Sequence, residues 1–243
     1  MGFVELRHRP FVVTSDYSGV VRLRDLTAKT KRSRILGGAG YAYGIATGQL
    51  DGLPIAALSG IRGIELWDLS TRTRLSKQFT YQGQVLAVAF GTVDGRPIVV
   101  GGCEDGAVRV WDLIASRRSP RKLVGHTGNV WTISLGELDG RPVAVSGGWD
   151  GTVRIWDMAA GVQLGDELLS GDDRVLASAL GVLEGRLIAA AGTRNGTMHV
   201  WDVRTRTALW KISIDALVDS IAMWDDWLIV CTYMGAVGIR LKG

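Results

Sequence analysis

His126, Ser146 and Asp150 fall close together in the chain, and a histidine, a serine and an aspartate are the three types from which a hydrolytic triad is built. Such a triad needs the serine exposed in a pocket, the histidine beside it as base, and oxyanion donors within reach. Metal chemistry has thinner support. The three histidines, His8, His126 and His199, lie far apart, and no two have the spacing of ligands to one ion. The carboxylate pairs Asp172-Asp173 and Asp225-Asp226 have the residue types of a glycosidase site, but adjacent acids in turns ordinarily face water or cap backbone amides. A phosphate-cradling role for the run Gly37-Gly38-Ala39-Gly40 would require a helix to follow it, and no helical period does.

The elements that position these residues are legible from a repeat. Trp-Asp steps occur at Trp67-Asp68, Trp111-Asp112, Trp156-Asp157 and Trp201-Asp202, at intervals of 44, 45 and 45 residues. Each closes an alternating run behind a tight-turn signal, as in EDGAVRVWDL from Glu104 and WDGTVRIWDM from Trp149. Two worn copies extend the series, with Arg24 and Arg240 where the tryptophan would stand. A second marker recurs at the same period: GQLDGLP from Gly48, GTVDGRP from Gly91, GELDGRP from Gly136 and GVLEGRL from Gly181. Six repeats in the low forties, each of several short strands, predict an all-β fold: a β-propeller of four-stranded blades, because one small sheet cannot bury both its faces alone. In the third repeat the strands are expected at Val85–Gly91, Pro97–Gly102, the AVRVWDL run, and near Arg121 to Val124, with turns at Asp94-Gly95 and Asp105-Gly106.

Composition agrees with one folded domain over residues 1–243. The apolar fraction of 47% and mean hydropathy of +0.16 supply a large core, and the 33 glycines fall largely at repeated turn positions. No segment is long and uncharged enough to span a membrane, and the amino end has no apolar signal core, which points to a soluble cytoplasmic protein. Cys103 and Cys231 fall on the second strands of the third and sixth repeats, so they are expected to be buried, unbridged thiols.

These markers coincide in phase, and over nearly its whole length the chain resembles the WD-repeat propellers. In that family a Gly-His pair, a Ser or Thr of strand two, an Asp of the following turn and the Trp of strand three form a hydrogen-bonded tetrad. Gly125-His126, Ser146, Asp150 and Trp156 match it in full. The resemblance thus implies that Ser146 lies under a tryptophan and that this set stabilises the fold without catalysis. Elsewhere the set decays: Gly171 and Ala191 replace the histidine and serine in the fifth repeat, and Tyr81 and Gly101 do so in the third. Such losses are expected to be tolerated when the whole set goes, since the cost lies in a buried polar group left unpaired.

The same phase sorts the exposed residues. Tyr17, Glu104, Trp149, Arg194 and Tyr233 from the turns, with Tyr43, Leu86, Trp131, Leu176 and Asp219 from the strand starts, are expected on the narrower face, where aromatic residues and arginine suit a protein-binding surface. The segments after the third strands hold 14 of the 28 basic residues, Lys29, Lys31, Arg32, Arg34, Arg72, Arg74, Lys77, Arg117, Arg118, Arg121, Lys122, Arg204, Arg206 and Lys211, with Asp166 as their one acid. Edge protection accounts for them; the alternative is an anion-binding ring, although nucleic acid would ordinarily bring aromatic platforms that these segments lack. A propeller hydrolase or lyase would need several polar residues converging at the channel entrance, which the mostly apolar face does not offer.

Overall, a non-enzymatic scaffold or sensor with a protein partner and no cofactor is expected. Met1 aligns halfway along a first strand, and Gly243 follows directly on the sixth third-strand. The first and last blades are therefore expected to be incomplete, with self-association or completion by a missing strand at an open seam. The wording GRPVAVSGGWDGTVRIWD is similar to the repeats of bacterial multidomain signalling ATPases and kinases, which implies a separated sensor module of that kind.

Overall fold

The computed structural model describes residues 2–6, 8–16, 18–29, 33–38, 41–115, 119–169, 171 and 173–241. All its regular secondary structure is strand, in six antiparallel sheets. The first sheet contains β1 (Gly2–Leu6), β2 (Arg9–Ser15), β3 (Val20–Asp25) and β4 (Arg34–Gly38), and the second β5 (Ala42–Leu50), β6 (Leu53–Gly60), β7 (Gly63–Asp68) and β8 (Thr73–Thr80). The third contains β9 (Val85–Val93), β10 (Arg96–Cys103), β11 (Ala107–Asp112) and β12 (Arg121–Val124). The fourth has β13 (Val130–Leu138), β14 (Arg141–Gly148), β15 (Val153–Asp157) and β16 (Val162–Gln163), and the fifth β17 (Val175–Leu183), β18 (Arg186–Thr193), β19 (Thr197–Asp202) and β20 (Ala208–Ser213). The sixth has three strands among the described residues, β21 (Ser220–Trp224), β22 (Trp227–Thr232) and β23 (Gly235–Arg240).

The chain forms two compact units. One comprises Met1–Cys103 with Arg109–Arg121, the other Glu104–Val108 with Lys122–Gly243. In the first unit Leu50, Ile55, Ala57, Ile64, Leu66, Phe79, Val85, Val99 and Trp111 form one core, and Val13, Val21, Leu23, Leu58 and Trp67 another. In the second unit one core joins Val143, Val145, Val153 and Ile155 to Val175, Leu187, Ala189 and Trp201, and a further one joins Ile188, Met198 and Val200 to Ile221, Leu228 and Val230. The second strands β6, β10, β14 and β18 are buried on both faces, so their sequences read as continuous apolar runs; β22 alternates between buried and exposed.

The recurring turn string has a simple cause. Asp51-Gly52, Asp94-Gly95, Asp139-Gly140 and Glu184-Gly185 all have positive φ at both residues, which is the two-residue hairpin turn whose twist matches the strands it joins.

Three expectations are corrected. The inner strand of the first sheet is formed: β1 pairs with β2 from Gly2↔Val13 to Leu6↔Arg9, a strand of five residues where β5, β9, β13 and β17 each have nine, so that blade is shortened and still four-stranded. Arg240 does not take the tryptophan position. The β22–β23 hairpin turns tightly at Tyr233-Met234, placing Val237 opposite Val230, whereas Trp201 stands opposite Ala189 and Arg24 opposite Val12. Cys231 is exposed, because it lies on the uncovered face of β22, while Cys103 is buried; neither is in a disulfide.

Candidate functional site

The fourth sheet brings His126, Ser146, Asp150 and Trp156 together. Ser146, on β14, is fully buried; it accepts the Trp156 indole N–H at 2.8 Å and lies 2.7 Å from His126 Nε2. On the other side of the ring His126 Nδ1 lies 3.0 Å from Asp150 Oδ2 and 2.9 Å from Thr152 Oγ1. A carboxylate only accepts, so Nδ1 carries the proton toward Asp150, and the Ser146 hydroxyl is free to donate to Nε2. Asp150 also accepts the backbone N–H of Thr127 at 2.9 Å and of Thr152 at 3.1 Å. Burial works to raise the Asp150 carboxyl, but the hydrogen bond and charge interaction with His126, with these amides, hold it well below the usual carboxylate range. Gly148 leaves the room: a Cβ there would lie 2.7 Å from Asp150 and 2.8 Å from His126 Nδ1. A serine so enclosed, whose hydroxyl is committed on both sides, has no open space for an acyl group.

The tetrad's decay is uneven. In the third sheet the tryptophan stays after the serine has gone, and the buried Trp111 indole N–H has no hydrogen-bond partner among the described residues; the same holds for Trp67. Gly101 lets the Trp111 ring close over it, since a Cβ there would lie 2.9 Å from Trp111 Cζ3. Tyr81 stacks under the buried Arg109 guanidinium at 3.8 Å.

The aspartates of the Trp-Asp steps have a function that the repeat alone did not reveal. Asp68, Asp112, Asp157 and Asp202 accept the backbone N–H of Ser70, Ile114, Ala160 and Thr205 at 2.7, 3.0, 2.8 and 3.0 Å, closing the turn after each third strand. Asp25 does the same with Thr27. Burial would raise Asp68, but hydrogen bonds from Ser70 and Thr71 outweigh it and hold the carboxyl below its ordinary value. For Asp112, burial is likewise outweighed, here by Arg96 and the turn amides.

A common device sets the start of the inner strand in four of the sheets. Register shifts at the start of four inner strands leave Tyr43, Leu86, Trp131 and Leu176 as the extra residue of a β-bulge. A bulge re-aims the side chain it carries, and the bulge beside Trp131 is tied to the neighbouring turn by the Trp149 N–H on Asn129 O at 2.9 Å. In the second unit Trp131 and Trp149 stack with centroids 5.3 Å apart, and the Arg174 guanidinium lies 4.2 Å from the Trp149 ring centroid. Arg174 was missed from sequence, because only packing carries it from the next repeat onto the tryptophan. Trp149 is 37% exposed; Arg194, Asp219 and Tyr233 are exposed, and Glu104 and Leu176 half-buried. In the first unit the Tyr43 hydroxyl donates to Gln84 at 2.8 Å. Leu86 is a correction: at 6% exposure it belongs to no surface, since an aliphatic side chain gains most by leaving water. Tyr17 lies outside the described residues.

The basic segments are partly neutralised. Arg74 pairs with Glu65 at 3.2 Å, Lys122 with Asp105 at 3.3 Å, and Arg204 with Asp139, while Arg206 donates to the Asp166 carbonyl. Lys31, Arg32, Arg117 and Arg118 lie outside the described residues, as does the Lys77 side chain. Asp226 pairs with Arg240 at 2.6 Å and Asp225 takes a positive φ, so that acidic pair shapes the β21–β22 turn; Asp172 is outside the described residues. Among the described residues no three His, Cys, Asp or Glu side chains gather as a metal site, and no helix is long and apolar enough to cross a membrane. His199, depressed by burial and by Lys211, stacks on Trp201 with centroids 5.6 Å apart.

Repeated antiparallel sheets with a tetrad of this kind define a β-propeller built from repeats. The family model for the WD domain, G-beta repeat, matches residues 75–112 and 117–157, running each time from the outer strand of one sheet through the third strand of the next, so the propeller contains WD repeats. This is typically a protein-interaction scaffold fold. No curated protein matches the chain.

Proposed function

We propose that the chain is a non-enzymatic scaffold or sensor module that holds a protein partner through the aromatic face of its second unit. The observation that carries this reading is the Trp131–Trp149 stack capped by Arg174, with Trp149 open to solvent. Tryptophan and arginine are enriched where binding energy concentrates, and here the bulge and the turn hold both rings before any partner arrives, which lowers the ordering cost of association. Arg194 and Asp219 supply exposed charges of both signs from other turns and strand starts of that unit. A cytoplasmic setting and a place in bacterial signalling fit this role.

The test is capture of partner proteins from the native organism by the wild-type chain and by a Trp131→Ala, Trp149→Ala double variant of equal melting temperature. Loss of a specific partner with the double variant supports the reading. An unchanged set of captured proteins overturns it.

A further inference from the structure

In the second unit the β14–β15 and β18–β19 turns stand at the same end of two sheets that pack on each other, and they are built alike. The Trp149 N–H donates to Asn129 O and the Arg194 N–H to Arg174 O, each at 2.9 Å. Arg194 is therefore the fifth-sheet counterpart of Trp149, and Arg174 that of Asn129. The fifth sheet thus brings two arginines to the end that carries the stacked tryptophans. Arg174 reaches across to the Trp149 ring, and Arg194 is exposed on its own turn.

Four other arginines of the unit, Arg154, Arg186, Arg204 and Arg240, each pair with a carboxylate. Among the described residues neither Arg174 nor Arg194 has an acid within ion-pair distance or an acceptor for its guanidinium. A guanidinium that lies over an aromatic ring gives its face to the π system and keeps its N–H fork, directed outward in the plane, for a planar acceptor. The ring also holds Arg174 in place, so less side-chain freedom is lost when an acceptor arrives. Charge selects that acceptor. Asp150 is committed to His126 and two backbone amides, and at the same end lie Asp173, which accepts the Asn195 N–H, and the exposed Asp219. Two cations among these acids suit one isolated carboxylate and oppose a polyanion such as nucleic acid.

We propose that this end of the second unit recognises an acidic peptide segment, in which an aspartate or glutamate carboxylate takes the N–H fork of Arg174, Arg194 adds a second positive charge from the adjoining turn, and a neighbouring apolar side chain lies on the Trp149 ring. The proposal rests on the reading of the Trp131–Trp149 stack as a partner-binding face and adds the chemistry of the partner.

Selection of a random peptide display library on the full chain tests the assignment. The selected peptides are expected to share an aspartate or glutamate beside a large apolar residue. The strongest of them is then synthesised with the acid and with the corresponding amide, asparagine or glutamine, and Kd is measured by fluorescence anisotropy. The amide should bind about fivefold or more weakly, because a charge-assisted hydrogen bond becomes a neutral one. Arg174→Gln and Arg194→Gln, both at exposed positions, should each weaken the acidic peptide by about threefold or more and leave the amide peptide nearly unchanged, a coupling that a merely structural effect would not produce. Failure to select any peptide, selected peptides with no shared acid, equal losses for acid and amide, or tighter binding when phosphoserine replaces the acid overturns the proposal. The Trp131→Ala, Trp149→Ala double variant keeps the two readings apart. Peptide binding that survives it removes the aromatic face itself, whereas binding that it abolishes, by peptides without an acid, removes only the carboxylate.

Discussion

Trp156 donates its indole N–H to Ser146 at 2.8 Å, and that bond closes a chain of partners running through His126 to Asp150. Replacing Asp150 with Ala leaves the Thr127 and Thr152 amides without their acceptor and His126 Nδ1 with Thr152 Oγ1 alone. A loss of about 1 to 3 kcal/mol is expected in denaturant unfolding. No change in stability would show that the chain of bonds contributes nothing net.

Acid should act through the same carboxylates. Asp150, Asp68 and Asp112 are depressed in the folded state, so the stability they contribute is complete above the unfolded value of 3.8 and is lost as pH falls through the lower folded values. His199 is depressed too, so the unfolded chain binds its proton first, and a smaller loss begins below 6.5. Stability measured by urea titration should therefore stay level near neutral pH and fall on the acid side, less steeply for Asp150→Asn. A steeper acid loss in that variant would contradict this assignment.

Two tryptophans at the same repeat position should answer differently to the same change. Trp156→Phe breaks a satisfied bond and strands Ser146, whereas Trp111→Phe removes an indole N–H that has no partner. The first should cost at least about 1 kcal/mol more than the second, read as the difference in unfolding midpoints. Gly101→Ser should not restore the missing bond. Its Cβ would lie 2.7 Å from Val85 Cγ1, and overpacking of that kind costs about 1 to 3 kcal/mol.

Turn glycines separate strain from collision. Gly95 has a φ of +73° and nothing within 4 Å of an added Cβ, so Gly95→Ala carries only the left-handed penalty of about 1 to 2 kcal/mol. Gly151, at +74°, would also drive its Cβ into the Gly171 carbonyl oxygen. Gly151→Ala should lower the melting temperature clearly more, and equal shifts would show that the backbone around Gly171 yields.

On the candidate face, Trp149→Ala should cost about 2 kcal/mol of partner affinity with little change in melting temperature, since the ring is partly solvated in the free chain. Comparable losses of affinity and stability would make the stack a structural cap.

The sequence by itself determined the strands, the turns and the repeat count. Alternation along EDGAVRVWDL and the Asp-Gly pairs at 51-52, 94-95 and 139-140 act through the local backbone, where side-chain period and positive φ decide the outcome. The matching of His126, Ser146, Asp150 and Trp156 was legible because its spacing repeats with the strands. What the tertiary structure decided depends on contacts between residues far apart in the chain. Arg174 reaches Trp149 from the following repeat, and Leu86 turns inward at the bulge position where Trp131 meets its stacking partner. Val237, and not Arg240, faces Val230 because one hairpin closes early, and Cys231 is exposed because only one face of β22 is covered.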